Sequence, residues 1–113
     1  MQQLRQLVED FVAERQWHKF HDPKNLSMAI AIEAAELMEQ FQWARSEDLS
    51  ALLADERVVG EIRDELADVL CFSLALANVV GFDLAEAIEQ KMVKNRRKYP
   101  AQDFLGRYEK PRD

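Results

Sequence analysis

Apolar residues recur at three- and four-residue intervals along most of this 113-residue chain, which is the spacing of one face of an α-helix. Only 3 Gly and 3 Pro are available to interrupt helices, and the abundant Ala, Leu, Glu and Gln are good helix formers. We therefore predict an all-α fold, a four-helix bundle-like domain. Residues 1–100 are expected to form this single domain, and residues 101–113 a C-terminal tail that is flexible or docks on a partner subunit.

The helix boundaries follow from capping signals. The first helix is indicated by the spacing of apolar residues from Leu4 to Val12. A second helix is predicted over 26–44 with Asn25 as its N-cap, and Ser46 is expected to cap a short helical piece. The third helix is predicted over 56–80 and ends at Gly81, and the fourth begins after Asp83 and stops at Pro100.

Composition excludes several classes of protein. A formal net charge of −6 argues against a general nucleic-acid binder, which needs a basic face. The single cysteine, Cys71, cannot form an intrachain disulfide; we expect a small core residue in a reducing compartment. The N-terminus lacks a signal-peptide pattern, and the longest apolar run, 69–80, is too short to span a bilayer. A cytoplasmic protein without membrane contact is expected.

Two acidic pairs lie where helices should pack. On a helical wheel, Glu33 and Glu36 fall about 60° apart at the edge of the apolar stripe of the second helix, and Glu39 lies on the polar back. Glu65 and Asp68 repeat the same three-residue spacing in the third helix. If the two apolar faces meet, four carboxylates converge.

Two interpretations of these acids remain open at this point. A single Glu-x-x-Glu pair is common on helices and usually forms exposed salt bridges. Four converging carboxylates would repel one another, and each buried charge costs several kcal/mol, so a cation would have to lie between them. Hard divalent ions such as Mg²⁺ and Mn²⁺ prefer such oxygen ligands.

The order of motifs resembles a known family. "EAAE" (33–36), "ELAD" (65–68) and "KMVKNRRKYP" (91–100) resemble the MazG-like all-α nucleoside triphosphate pyrophosphohydrolases. The segments "ERQWHKFHDPKNL" and "FQW" are most similar to the dCTP pyrophosphatase branch, and the likeness extends over about residues 4–100.

This resemblance implies hydrolysis of a nucleoside triphosphate, dCTP or modified dCTP, between its α and β phosphates. It implies that Glu33, Glu36, Glu65 and Asp68 bind Mg²⁺, with Mn²⁺ as a substitute, and that Glu33 or Glu36 acts on the attacking water. It further implies phosphate binding by Lys91, Asn95, Arg96 and Tyr99, and base binding by Trp17, His21 and Trp43. Family members form tetramers or dimers, so a homo-oligomer, preferably a tetramer, is expected.

The sequence departs from the family pattern at two positions and leaves alternatives. Val8 and Phe72 stand where animal relatives have a histidine and a tyrosine, which removes two polar groups. The alternatives are a broader dNTP or dUTP pyrophosphatase, or a non-catalytic helical oligomerisation module. A di-iron bundle is disfavoured because the sequence contains no Glu-x-x-His motif.

Overall fold

The computed structural model describes residues 1–106, and these are helical with no β-strand among them. The α-helices are α1 (Gln2–Glu14), α2 (Pro23–Glu39), α3 (Leu49–Leu53), α4 (Glu56–Val80), α5 (Leu84–Lys98) and α6 (Ala101–Phe104). Short 3-10 turns occupy Trp17–Phe20 and Ser46–Asp48. The all-α prediction is confirmed.

The chain divides into two compact units, Met1–Gly81 and Phe82–Asp113. The first contains α1 to α4, and the second contains α5 and α6. The predicted division into a domain over 1–100 and a tail over 101–113 stays a prediction.

In the first unit, α2 packs along α4, and α1 packs on another part of α4. The buried apolar side chains of residues 1–106 all belong to these three helices: Val12, Leu26, Leu74, Ala75 and Ala77. A hydrogen bond from Asn78 Nδ2 to the carbonyl oxygen of Arg5, 3.3 Å long, also links α4 to α1. The packing of α2 on α4 therefore determines where the acidic pairs lie.

The start and end of α2 differ from the prediction. Asp22, rather than Asn25, is the N-cap: its carboxylate accepts a hydrogen bond from the backbone N–H of Asn25 at 2.7 Å. Pro23 fits the first turn because its missing N–H would have no helical partner there. The helix ends at Glu39 rather than at 44, and residues 40–43 form turns, so Trp43 does not extend the helical face.

The later boundaries agree more closely. Gly81 ends α4 with a φ of 98°, a left-handed conformation that glycine adopts without steric cost. Asp83 caps α5 by accepting from the N–H of Glu86 at 3.1 Å. The helix ends at Lys98, so Tyr99 lies just beyond it.

The predicted tail is partly helical, because α6 follows Pro100 directly. The rest of that tail, residues 107–113, lies outside the described residues. No single helix among residues 1–106 is long and apolar enough to cross a membrane, and only α4 and α5 taken together reach that length and composition.

Candidate active site

Three of the predicted carboxylates meet where α2 packs on α4. Glu33 and Glu36 from α2 and Glu65 from α4 each offer an oxygen, and these oxygens lie within 4.8 Å of one another. All three side chains are half-buried. Asp68 lies one turn after Glu65, is more exposed, and is close enough for its charge to act on both Glu33 and Glu65. The structure thus brings the two acidic pairs together.

The environment of this cluster favours protonated carboxyls. Burial, then hydrogen bonding and charge repulsion from Glu36, and then the charge of Asp68, raise the pKa of Glu33 to about 7. Burial, again followed by the influence of Glu36, also raises the pKa of Glu65. Glu33 and Glu65 are therefore costly to ionise unless a cation lies beside them.

The donor set fits a hard divalent cation. One oxygen each of Glu33 and Glu65 is buried and has no hydrogen-bond partner within residues 1–106. Buried polar atoms are nearly always paired, so two such oxygens in one cluster indicate a missing partner. Closely spaced carboxylate oxygens are the ligands that Mg²⁺ and Mn²⁺ prefer.

A pocket of about 470 Å³ lies between α1, the following 3-10 turn and α4. It is lined by Leu7, Val8, Phe11, Val12, Trp17, His21, Asp68, Cys71, Phe72 and Ala75. Its volume is within the usual range for small-molecule sites. Asp68 lines this pocket and also lies beside the acidic cluster.

Aromatic rings line much of this pocket. The ring of Trp17 meets the ring of Phe11 edge-to-face, with centroids 5.6 Å apart. The centroid of His21 lies 6.4 Å from that of Trp17 and 6.5 Å from that of Phe72. Gln16, in a left-handed conformation with a φ of 55°, separates α1 from the turn that positions Trp17. The walls can therefore stack on a flat ring.

Comparison with known proteins identifies the family. The profile of the MazG-like family matches residues 28–113. The chain belongs to the MazG-like family. It is 40% identical over 101 residues to dCTP pyrophosphatase 1 from Homo sapiens and 39% identical over 100 residues to the same protein from Bos taurus. These similarities confirm the predicted family and branch.

The extent of these matches differs. The alignments include 89% and 88% of this MazG-like chain but only 59% of the length of the human and bovine relatives. A crystal structure of a pyrophosphatase from Archaeoglobus fulgidus matches with a TM-score of 0.81 and 46% identity, covering 88% of this chain and 92% of that one. The fold is therefore shared with a protein of similar length.

The predicted base-contacting residues are not all together in this MazG-like chain. Trp17 and His21 line the pocket. Trp43 does not: it lies in the turn after α2, and its side chain is 87% exposed. Base binding by these three residues stays a prediction.

The predicted phosphate-binding residues belong to the second unit. Lys91 and Arg96 are exposed, and neither forms an ion pair with any residue of the described part of the chain. Asn95 is half-buried and donates from Nδ2 to the Met92 sulfur at 3.7 Å. The ring of Tyr99 meets that of Phe104 edge-to-face at 5.3 Å. Their role in phosphate binding stays a prediction.

Several lining residues were not predicted as site residues. Three of them, Leu7, Phe11 and Val12, belong to the apolar face of the first helix. Periodicity predicts such a face, but it does not distinguish a face that packs on another helix from one that lines a pocket. Cys71 is exposed and lines the pocket, so its assignment to the core is wrong. Partial burial, and then the charge of Asp68, raise the pKa of its thiol.

Val8 and Phe72, the two positions at which the resemblance predicts a departure from the family pattern, both line the pocket. His18, three residues before His21, is engaged elsewhere: its Nε2 lies 2.6 Å from Glu9 Oε1.

Proposed function

We propose that this MazG-like protein is a divalent-metal-dependent nucleotide pyrophosphohydrolase. It cleaves a nucleoside triphosphate between the α and β phosphates and releases the monophosphate and pyrophosphate. The observation that carries the proposal is the cluster of Glu33, Glu36 and Glu65, joined through Asp68 to a pocket with stacking walls. The names of the relatives support the reaction, and dCTP or a base-modified dCTP is the first substrate to test.

Glu33, Glu36, Glu65 and Asp68 would hold Mg²⁺, for which Mn²⁺ can substitute. The metal would offset the charge of the triphosphate and stabilise the charge that develops during cleavage. Two observations support this ligand set: one buried oxygen each of Glu33 and Glu65 has no hydrogen-bond partner among residues 1–106, and burial, followed by the neighbouring carboxylates, raises the pKa of Glu33. The cluster would bind the metal in exchange for protons.

Other residues of this chain would position the reactants. Glu33 or Glu36 would orient the attacking water and accept its proton. Trp17 would stack on the base, and His21 would contact its edge. Lys91, Asn95, Arg96 and Tyr99 would bind phosphate oxygens, which supplies local positive charge in a chain whose net charge is −6.

We also infer a homo-oligomer, a tetramer or a dimer, that acts on the cytoplasmic nucleotide pool. The support is the apolar surface left on α2 and α4: Met28 and Ile32 are 53% and 57% exposed, and Leu66 and Leu70 are 48% and 52% exposed. A small chain seldom leaves this much apolar area in water without a partner surface.

The proposal is tested by measuring pyrophosphate release from a panel of nucleoside triphosphates with Mg²⁺, with Mn²⁺ and with a chelator. Release is expected only with a divalent metal. Glu36→Gln and Asp68→Asn should each lower kcat by about 100-fold or more, because each removes charge that would hold the metal. Glu39→Gln is the matched control: Glu39 is exposed, three residues from Glu36 on the same helix and outside the cluster, and its rate should not change.

Release that does not need a metal, or an equal loss in all three variants, would contradict the assigned site. No release from any canonical or 5-modified triphosphate would favour the non-catalytic helical module.

A further inference from the structure

The imidazole of His21 makes no hydrogen bond to the part of the chain that the structure describes. Its Nδ1 is buried and unpaired, and neither ring nitrogen bonds to any residue within 1–106. Its ring lies beside those of Trp17 and Phe72. His18 is a useful contrast, since Glu9 engages its Nε2 at 2.6 Å. The tautomer of a histidine is determined by the hydrogen bond that its other ring nitrogen makes. Nothing in the described structure therefore restricts His21 to one tautomer.

The remainder of the pocket offers a base edge few polar partners. Besides His21, the lining side chains with polar atoms are the indole of Trp17, Asp68 and Cys71. Asp68 lies beside the acidic cluster, and a thiol is only a weak donor and a weak acceptor. Val8 and Phe72 present only carbon atoms. Stacking on Trp17 does not depend on the polar substituents of the base, because every base has a π-face.

We propose that this pocket accepts pyrimidine bases with an amino or a keto group at the 4-position with similar efficiency. The inference rests on the proposed function and concerns its substrate class. A neutral imidazole donates from a protonated nitrogen to a keto oxygen, or accepts at an unprotonated nitrogen from an amino group, and the free choice of tautomer at His21 allows either. Cytosine and uracil nucleotides are then both substrates.

The expected degree of selectivity follows from the chemistry of the walls. A site with a fixed donor or acceptor rejects the mismatched analogue by a factor on the order of 10⁴ or more, because its own polar group is left unpaired. A largely apolar pocket discriminates by no more than about 100-fold. The ratio of the kcat/KM values for the amino and the keto substrate therefore distinguishes a site with a fixed donor or acceptor from a largely apolar pocket.

The test uses two pairs of substrates that differ only in the 4-amino or 4-keto group: dCTP with dUTP, and 5-methyl-dCTP with dTTP. The wild-type protein with Mg²⁺ should give kcat/KM ratios below about 100-fold in both pairs. A larger ratio in either pair would overturn the inference and leave the proposed function intact. If no triphosphate is hydrolysed, the proposed function fails. Calorimetric titration with non-hydrolysable analogues of dCTP and dUTP then gives the ratio of their Kd values, and a ratio above about 100-fold, or absence of binding, would overturn this inference too.

A matched pair of variants tests the role of His21. His21→Phe should lower kcat/KM for all four substrates by a common factor of about tenfold, the effect of one hydrogen bond, and leave both ratios unchanged. His18→Phe, the same substitution three residues earlier and outside the pocket, should leave all four values unchanged. A loss confined to the amino or to the keto member of a pair, or no loss at all with His21→Phe, would overturn the inference.

Discussion

At the scale of single residues, position within the packing determines what each carboxylate does. Glu33 and Glu39 belong to the same helix, but Glu33 is half-buried against α4 and Glu39 is exposed. The pKa of Glu33 is raised, because burial and then the neighbouring acids disfavour its charged form. The helical wheel already placed Glu33 at the edge of the apolar stripe and Glu39 on the polar back. It could not show which acids of α4 lie next to Glu33.

The stability of the metal-free protein should depend on pH through Glu33. Its pKa is about 7 in the folded chain against an ordinary value of 4.5, so the folded state binds more protons between these values. The stabilising contribution is therefore complete below about pH 4.5 and is lost as the pH rises through about 7. Denaturant unfolding in the presence of a chelator, from pH 5.5 to 8, should show a decreasing free energy of unfolding.

Glu33→Gln provides the control for this prediction. The variant should show a shallower decrease and should be more stable than wild type at pH 8 without metal, since it removes a charge from a repulsive cluster. Added Mg²⁺ should stabilise wild type more than the variant at that pH. Equal pH slopes for the two proteins would show that Glu33 is not the titrating group.

At the scale of helices, capping signals predicted some boundaries and missed others. Ser46 was expected to cap the short helical piece, but it is the first residue of the 3-10 turn, whose N-cap is Arg45. Gly81 and Asp83 were correctly predicted as the end of α4 and the cap of α5. The start of α2 has two candidates, Asp22 and Asn25, and the proline between them decides which one acts. Pro23 occupies the first helical position, which leaves Asp22 as the N-cap.

The two candidate caps can be compared directly. Asp22→Ala should lower the free energy of unfolding by about 1 kcal/mol, because the N–H of Asn25 loses its carboxylate acceptor. Asn25→Ala should cost less, since Asn25 is exposed inside the first turn and alanine is a better helix former. Denaturant titration of both variants measures the difference. A greater loss of unfolding free energy with Asn25→Ala than with Asp22→Ala would indicate that Asn25 is the N-cap, as the sequence predicted.

At the scale of the whole molecule, the buried core is small for a chain of 113 residues. The buried apolar residues of the described structure are Val12, Leu26, Leu74, Ala75 and Ala77, and two of these are alanines. Much larger apolar side chains remain exposed on the same helices. The hydrophobic stabilisation available to one chain is therefore limited, and association would increase it.

Association can be tested through α4. The wild-type protein, with a chain mass of 13.2 kDa, should sediment as an oligomer, and Leu70→Glu should shift it to a smaller species because burying a carboxylate at an apolar interface costs several kcal/mol. Arg57→Gln is the matched control, since it changes the net charge by the same −1 at an exposed position of the same helix. Wild type sedimenting as a monomer, or equal shifts in both variants, would contradict the prediction.

The sequence alone determined the helical class, the main helix boundaries and which acids could belong to a site, because helical spacing and capping are local properties of the chain. The motif "EAAE" followed by "ELAD" also identified the family, which the comparisons confirm. Local patterns could not separate a face that packs from a face that lines a cavity, so Phe11 and Cys71 were missed as pocket residues. They also placed Trp43 on a helix that ends four residues before it.

Only the tertiary structure decided which side chains meet. Residues of α2 and α4 are separated by about thirty positions, and only the packing of one helix on the other places the oxygens of Glu33, Glu36 and Glu65 within 4.8 Å. The packing of α1 and the following turn on α4 places His21 in a pocket wall, where it has no hydrogen-bond partner among residues 1–106. The physical reason is that proximity, burial and an unsatisfied polar atom depend on contacts between distant segments, whereas periodicity and capping depend on neighbours along the chain.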